Sequence, residues 1–193
     1  MTDDEFLQNY VGTPPKELND QILLSEYDSK WPDLFLREAK RIRAILGSGA
    51  LMVEHVGSTS VPGLAAKPII DILLVVQNSA NEAEYVPLLE SHGYVLRIRE
   101  PHWHEHRVFK GPDIDINLHV FSRDNSEVER MLVFRDWLRS HPKDRELYLQ
   151  KKRELAGRKW KYVQYYADAK SEIVEEIIRR AESQKKRQRL GAR

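Results

Sequence analysis

The residues best suited to chemistry lie between Glu54 and Val76, in EHVGSTSVPGLAAKPIIDILLVV. Gly57, Ser58, Thr59 and Ser60 form a Gly- and hydroxyl-rich turn, where backbone N–H groups and hydroxyls can converge on an anion such as phosphate. The same residues also suit a tight turn that uses its glycine for positive φ and its hydroxyls for its own backbone. Asp71 adds weight to the first reading. It interrupts the apolar run PIIDILLVV, and burying a carboxylate costs on the order of several kcal/mol unless it is compensated. Hydrogen bonds from the loop or a pair with Lys67 or Arg107 would compensate it structurally. A divalent cation such as Mg²⁺, bridging a carboxylate to phosphates, would do so functionally.

A partner for Asp71 can come from the segment 113–121. Period-two alternation places Asp113, Asp115, Asn117 and His119 on one face and Ile114, Ile116, Leu118 and Val120 on the other. A strand with one wet side alternates in the same way. His102, His104 and His106, around Trp103, would share one face if their segment is extended. They could contact substrate, or form a zinc site if a further ligand converged on them.

The elements that must position these groups can be read in order. Trp31, Leu34, Phe35, Ala39, Ile42, Ile45 and Leu46 recur at three- and four-residue spacing, with Pro32 in the first turn and Gly47 past the end, which predicts an amphipathic helix. Strands are expected over 51–56 and 68–76, the second buried on both faces, then a helix over 82–91. Further strands are expected over 94–98, 103–110 and 113–121, the last two joined at Gly111–Pro112, and then helices over 127–140, 144–158 and 162–181. This order predicts an α+β fold, a mixed β-sheet flanked by helices with a helical C-terminal part.

Composition bounds the rest. The 193 residues suit one domain, here 18–182, after a loose N-terminal arm over 1–17 and before a basic tail over 183–193 that holds Lys185, Lys186, Arg187, Arg189 and Arg193. With no cysteine there is no disulfide, Cys-ligated zinc or thiol nucleophile. An acidic start and the lack of an apolar run near the roughly 20 residues that span a bilayer lead us to expect a cytoplasmic protein without membrane contact. A net charge of +1 without a basic stripe argues against nucleic acid as partner.

HVGSTSVPGLAAKPIIDILLVV, NLHVF, FRDWLRSHP and YADAK together resemble the GrpB family over about residues 18 to 182. Members of that family look like distant relatives of nucleotidyltransferases. The domain is also similar to one fused to dephospho-CoA kinase in some bacteria, where a protein-folding role has been suggested. In the nucleotidyltransferase superfamily a Gly-Ser pair precedes a strand bearing carboxylates at alternate positions. Gly57, Ser58 and Asp71 match that pattern, whereas Leu73 stands where the second carboxylate belongs.

The resemblance implies a nucleotidyltransferase-like enzyme that binds a nucleoside triphosphate with Mg²⁺ and transfers a nucleotidyl group to a small acceptor. Asp71 and Asp115 (or Asp113 in its place) would hold the metal, with His119 as a further ligand or as the candidate base. Gly57, Ser58, Thr59, Ser60 and Lys67 would hold phosphates, and Arg135 or Lys170 would reach the leaving group or substrate. Two other readings stand beside it: a non-catalytic phosphate-binding or folding-accessory module, favoured by Leu73, and an enzyme acting on a phosphorylated or carboxylated metabolite without nucleotide. Oligomeric state is not readable from the sequence.

Overall fold

Helix α1 (Trp31–Leu46) begins with Pro32 in its first turn and ends at Gly47, whose φ of 54° is a conformation that favours glycine. Its apolar stripe, Trp31, Ala39, Ile42 and Leu46, is buried. In this computed structural model residues 7–191 are described, with side chains through residue 188. Strands β1 (Met52–Val56) and β2 (Ile70–Val76) follow, then α2 (Val86–Glu90), β3 (Val95–Glu100), β4 (His106–Lys110) and β5 (Ile116–Ser122). Four helices complete the chain: α3 (Ser126–Ser140), α4 (Pro142–Ala156), α5 (Val163–Asp168) and α6 (Ser171–Gly191).

The strands form one mixed sheet in the order β1-β2-β5-β4-β3, antiparallel throughout except for the parallel pair β2 and β5. This is the α+β architecture expected from the sequence. Strand β2 is sheathed on both faces. Ile70, Ile72, Leu74 and Val76 join the stripe of α1, while Leu73 and Val75 pack with Val56 and Phe121 against Val128, Met131 and Leu132 of α3. Asp71 lies on the Leu73 face, at the end of β2 where the cover from α3 gives way. There Val61, Leu64 and Ala65, from the β1–β2 connection, pack against Leu138, Tyr148, Leu149, Ile173 and Ile177. The connection is thereby wedged between sheet and C-terminal helices.

Several expectations are corrected. The segment 101–105 is a turn, with positive φ at His104 (58°) and Glu105 (50°), so His102, His104 and His106 do not share a strand face. Only His106 of the three is in β4 and buried, and the other two are exposed. Strand β5 starts at Ile116, which leaves Asp113 and Asp115 in the loop before it. The helix expected over 82–91 is a 3₁₀ turn at Glu82–Glu84 followed by the short α2, and that over 162–181 divides between α5 and α6.

The arm expected to be loose is anchored over its described part. Tyr10 bridges Ile98, and Val11 N donates to Arg97 O, so this segment covers the open edge of β3. Residues 1–6 of the expected arm and 192–193 of the expected tail lie outside the described residues. Through residue 191 the expected tail continues α6. Among the described residues no helix is long and apolar enough to cross a membrane.

Candidate anion-binding and carboxylate site

The turn after β1 uses most of its own polar atoms. Gly57 has φ 67° and ψ −172°, a region essentially closed to side-chain-bearing residues, and its Cα faces Asp71 so closely that a Cβ there would collide with Oδ2. Ser60 Oγ donates to Gly57 O (2.6 Å), and Thr59 Oγ1 donates to Ile69 O (3.3 Å) and meets His55 Nε2 (3.1 Å). Both hydroxyls are buried and turned inward, as in the reading where the turn satisfies its own backbone. Ser58 differs: it is only partly buried, and its side chain lies close enough to the Tyr148 hydroxyl of α4 to oppose the upward push of burial on that group. His55 stacks on Phe35 of α1 (4.8 Å, 11°) and, buried, has its pKa pushed down to about 4.

Parallel pairing with β5 gives Asp71 its neighbours. Asn117 lies directly beside it and donates from Nδ2 to Asp71 Oδ1 (2.8 Å). His119, two residues along the same face, brings Nε2 to 3.6 Å from Oδ1. Burial disfavours the charged carboxylate, but His119, Asn117 and the Lys67 charge outweigh it, so the Asp71 pKa lies below its ordinary value. Its side chain keeps 27% exposure, which leaves the recess open on one side. Behind His119 the polar contacts continue: His119 Nδ1 is 3.0 Å from His106 Nε2, and His106 Nδ1 is 2.7 Å from Glu100 Oε2.

The opposite wall is cationic. Tyr148 and Lys152 are four residues apart on α4 and so share a face, and Tyr166 and Lys170 have the same spacing at the end of α5. Lys170 Nζ lies 4.4 Å and Lys67 Nζ 5.8 Å from the centroid of the Tyr166 ring, and Lys152 Nζ lies 5.3 Å from that of Tyr148. Lys152, 2% exposed, donates to Ala65 O. Lys67 and Lys170 have no hydrogen-bond or ion-pair partner among the described residues, and the Tyr166 hydroxyl is buried without one. Burial depresses all three lysines, to about 8 for Lys67, 7 for Lys152 and 8 for Lys170, and mutual repulsion adds to this at Lys67 and Lys152. All three feel Asp71 as an opposing charge.

Three ammonium groups thus face a single carboxylate, an arrangement that a bound anion would complete. Of the residues singled out in the sequence, the structure brings together Asp71, His119, Ser58, Gly57, Lys67 and Lys170. Asp115 is held by Lys110 (2.7 Å), and Asp113 by Arg41. Arg135, 9% exposed, bonds Glu54 Oε2 (2.7 Å), Asp136 Oδ1 (2.7 Å) and His55 O (3.0 Å), which makes it a strut between α3 and β1. Lys152, Tyr148, Tyr166 and Glu100 escaped the sequence reading, which had Asn117 only as a member of the polar face over 113–121 and His106 only as a member of the histidine cluster. The four-residue Tyr–Lys spacing was a signal available for the first three. Among the described residues no group of three or more His, Cys, Asp or Glu could hold a metal ion.

Fold and site together define an α+β protein with a lysine-walled recess opposite a strand carboxylate. The chain belongs to the GrpB family, whose description, GrpB protein, matches residues 21–180. A UPF0157 protein of Halalkalibacterium halodurans is 65% identical over 92% of this chain and 91% of its own length. A dephospho-CoA kinase of Mycolicibacterium paratuberculosis is 29% identical over 80% of this chain, which spans 44% of that protein. A crystal structure of conserved protein GrpB from Enterococcus faecalis matches with a TM-score of 0.71 at 33% identity, over 82% of this chain and 98% of that one.

Proposed function

We propose that this protein is a nucleotidyltransferase-like enzyme, binding a nucleoside triphosphate with Mg²⁺ and transferring the nucleotidyl group to a small acceptor. The observation that carries this reading is the excess of positive charge in the recess: Lys67, Lys152 and Lys170, two of them without an acceptor among the described residues, against the one carboxylate of Asp71. A polyphosphate chain supplies the missing negative charge. Ser58, Tyr148 and Tyr166 offer hydroxyls beside it.

Asp71 fits a Mg²⁺ site of the common kind, in which one or two carboxylates share the ion with phosphates and water. When bound, the ion would neutralise charge on the phosphates. With Asp115 paired to Lys110, the metal assignment rests chiefly on Asp71. The protein's own residues hold the triphosphate by its outer phosphates and exclude water with the Val61–Leu64 wedge. His119 takes the proton of the acceptor hydroxyl as that oxygen attacks the α-phosphorus and pyrophosphate leaves.

A second reading has its own observation. Leu73, fully buried against Val56, Val75 and Phe121, occupies the alternate position on the Asp71 face, where a second carboxylate would complete the metal clamp. This favours a phosphate-binding module without catalysis, and a folding-accessory role would belong here.

Calorimetric titration of ATP, CTP, GTP and UTP, with and without Mg²⁺, on the native chain and on Asp71→Asn separates these readings. Metal-enhanced binding that Asp71→Asn abolishes, with pyrophosphate release in an acceptor panel, supports the transferase. Metal-independent binding without turnover supports the module. If no nucleotide binds but a phosphorylated or carboxylated metabolite raises the melting temperature, the recess serves a different substrate.

A further inference from the structure

Glu100, His106, His119 and Asp71 form a continuous row of polar contacts, at 2.7 Å, 3.0 Å and 3.6 Å in turn. Its direction is set at the outer end. The Glu100 carboxylate only accepts, so the hydrogen between it and His106 sits on His106 Nδ1. His106 is 6% exposed, stacked between His119 (5.2 Å, 8°) and Phe121 (4.6 Å, 12°), with Trp103 edge-on at 5.3 Å. Burial pushes its pKa down to about 4, so near neutral pH it carries one ring proton. With that proton on Nδ1, Nε2 is an acceptor, and the 3.0 Å contact is satisfied by a hydrogen on His119 Nδ1. A His119 ring with its one proton on Nδ1 has its lone pair on Nε2. That atom faces Asp71 Oδ1 across 3.6 Å, too far for a hydrogen bond and near enough for both to share a donor placed between them.

We propose that Glu100 and His106 are positioning residues that hold His119 in its Nδ1–H form, so that His119 Nε2 presents a lone pair to the recess as the base of the site. The identity of the group deprotonated rests on the nucleotidyl-transfer reading; the tautomer does not. In the reaction the acceptor O–H bond breaks and an Nε2–H bond forms. The oxygen's electron pair bonds the α-phosphorus, and pyrophosphate leaves with the pair of the broken P–O bond. The imidazolium so formed donates from Nδ1 to His106, and its charge lies within ion-pair distance of the Asp71 carboxylate, 3.6 Å from Nε2. Without Glu100, His106 could carry its proton on Nε2. His119 would then turn its own proton toward Asp71, where it could not act as a base. Orientation of a base by a hydrogen-bonded neighbour is a general device, and here the neighbour is a second histidine, itself oriented by a carboxylate.

The test is long-range ¹⁵N–¹H correlation NMR of the ¹⁵N-labelled full chain at about pH 9, well above the ordinary histidine pKa. The native protein is expected to show His119 and His106 each as a single tautomer, protonated on Nδ1. Glu100→Ala, at a side chain 21% exposed, is expected to keep the fold and give mixed tautomers at both rings. A His119 that carries its proton on Nε2, or on both nitrogens, in the native chain overturns the proposal, as does an unchanged His119 tautomer in Glu100→Ala. The readout needs no nucleotide. If the tautomers behave as expected and no nucleotide binds, the transferase reading alone fails; if nucleotides bind and His119 is Nε2–H, the positioning role alone fails.

Discussion

Gly57 and Asp71 are in direct contact: a Cβ built on Gly57 would collide with Asp71 Oδ2 and stand 2.8 Å from its Cβ. The glycine is therefore required twice over, for its φ of 67° and for the space that its missing side chain leaves to the carboxylate. Gly57→Ala is expected to cost about 2–5 kcal/mol, from backbone strain plus overpacking, measured by urea unfolding. Gly63, with φ 78° but no atom within 4 Å of the place a Cβ would take, is the control: Gly63→Ala should cost only about 1–2 kcal/mol.

The lysine wall predicts an alkaline trend in stability. Lys67, Lys152 and Lys170 have folded pKa values of about 8, 7 and 8 against an ordinary 10.5. Between those limits the unfolded chain holds protons that the folded chain has released, so stability rises with pH, by roughly 1.4 kcal/mol per pH unit for each such proton. Below about pH 7 both states are protonated and the penalty is complete. Urea midpoints of the unliganded protein should increase from about pH 7 to 10. Lys152→Met should flatten that slope and raise the midpoint at about pH 7. Pyrophosphate should stabilise the native chain most at the low end of the window, where the ammonium groups are charged; a midpoint unmoved by pH would contradict the buried-lysine wall.

At acid pH the buried histidines add a trend of the same sign. His55 and His106 both have folded pKa values of about 4, below the ordinary 6.5, because burial disfavours their charged forms. Between pH 6.5 and 4 the unfolded chain binds protons that the folded chain does not. Stability is therefore full above this window and falls as the pH is lowered through it. His55→Phe keeps the stack on Phe35 and removes one titrating ring. It should flatten the fall by about one proton's worth, roughly 1.4 kcal/mol per pH unit, in urea midpoints taken between about pH 4 and 7.

Arg135 tests the division between site and scaffold. Its guanidinium is spent on Glu54, Asp136 and His55 O, so Arg135→Met is expected to lower stability by about 1–3 kcal/mol. Pyrophosphate affinity, measured calorimetrically at a temperature where the variant is folded, should change less than about twofold. A large loss of affinity in the folded variant would return Arg135 to the substrate-binding residues.

Most of the fold was legible because its signals are local. The three-four spacing from Trp31 to Leu46 specifies α1, and the apolar run around Asp71 specifies a strand covered on both faces. The errors fell where backbone conformation overrode spacing. His102, His104 and His106 alternate as a strand would, yet positive φ at His104 and Glu105 turns the chain, and only His106 enters β4. Asp113 and Asp115 alternate with the true β5 face but precede the strand, where Lys110 and Arg41 can reach them.

In the functional region, local pattern was enough to mark Gly57, Ser58 and Asp71, because a glycine turn beside an apolar strand and a charge within that strand are anomalies visible in one dimension. What surrounds Asp71 was decided by pairing and packing. The parallel register of β2 and β5 chose Asn117 and His119 as its neighbours, and antiparallel pairing of β4 with β5 placed His106 behind His119. The docking of α4 and α5 brought Lys152 and Lys170 to a recess that begins far away in the chain. Charges so distant in sequence acquire a common purpose only when burial removes the water that would otherwise screen them from one another.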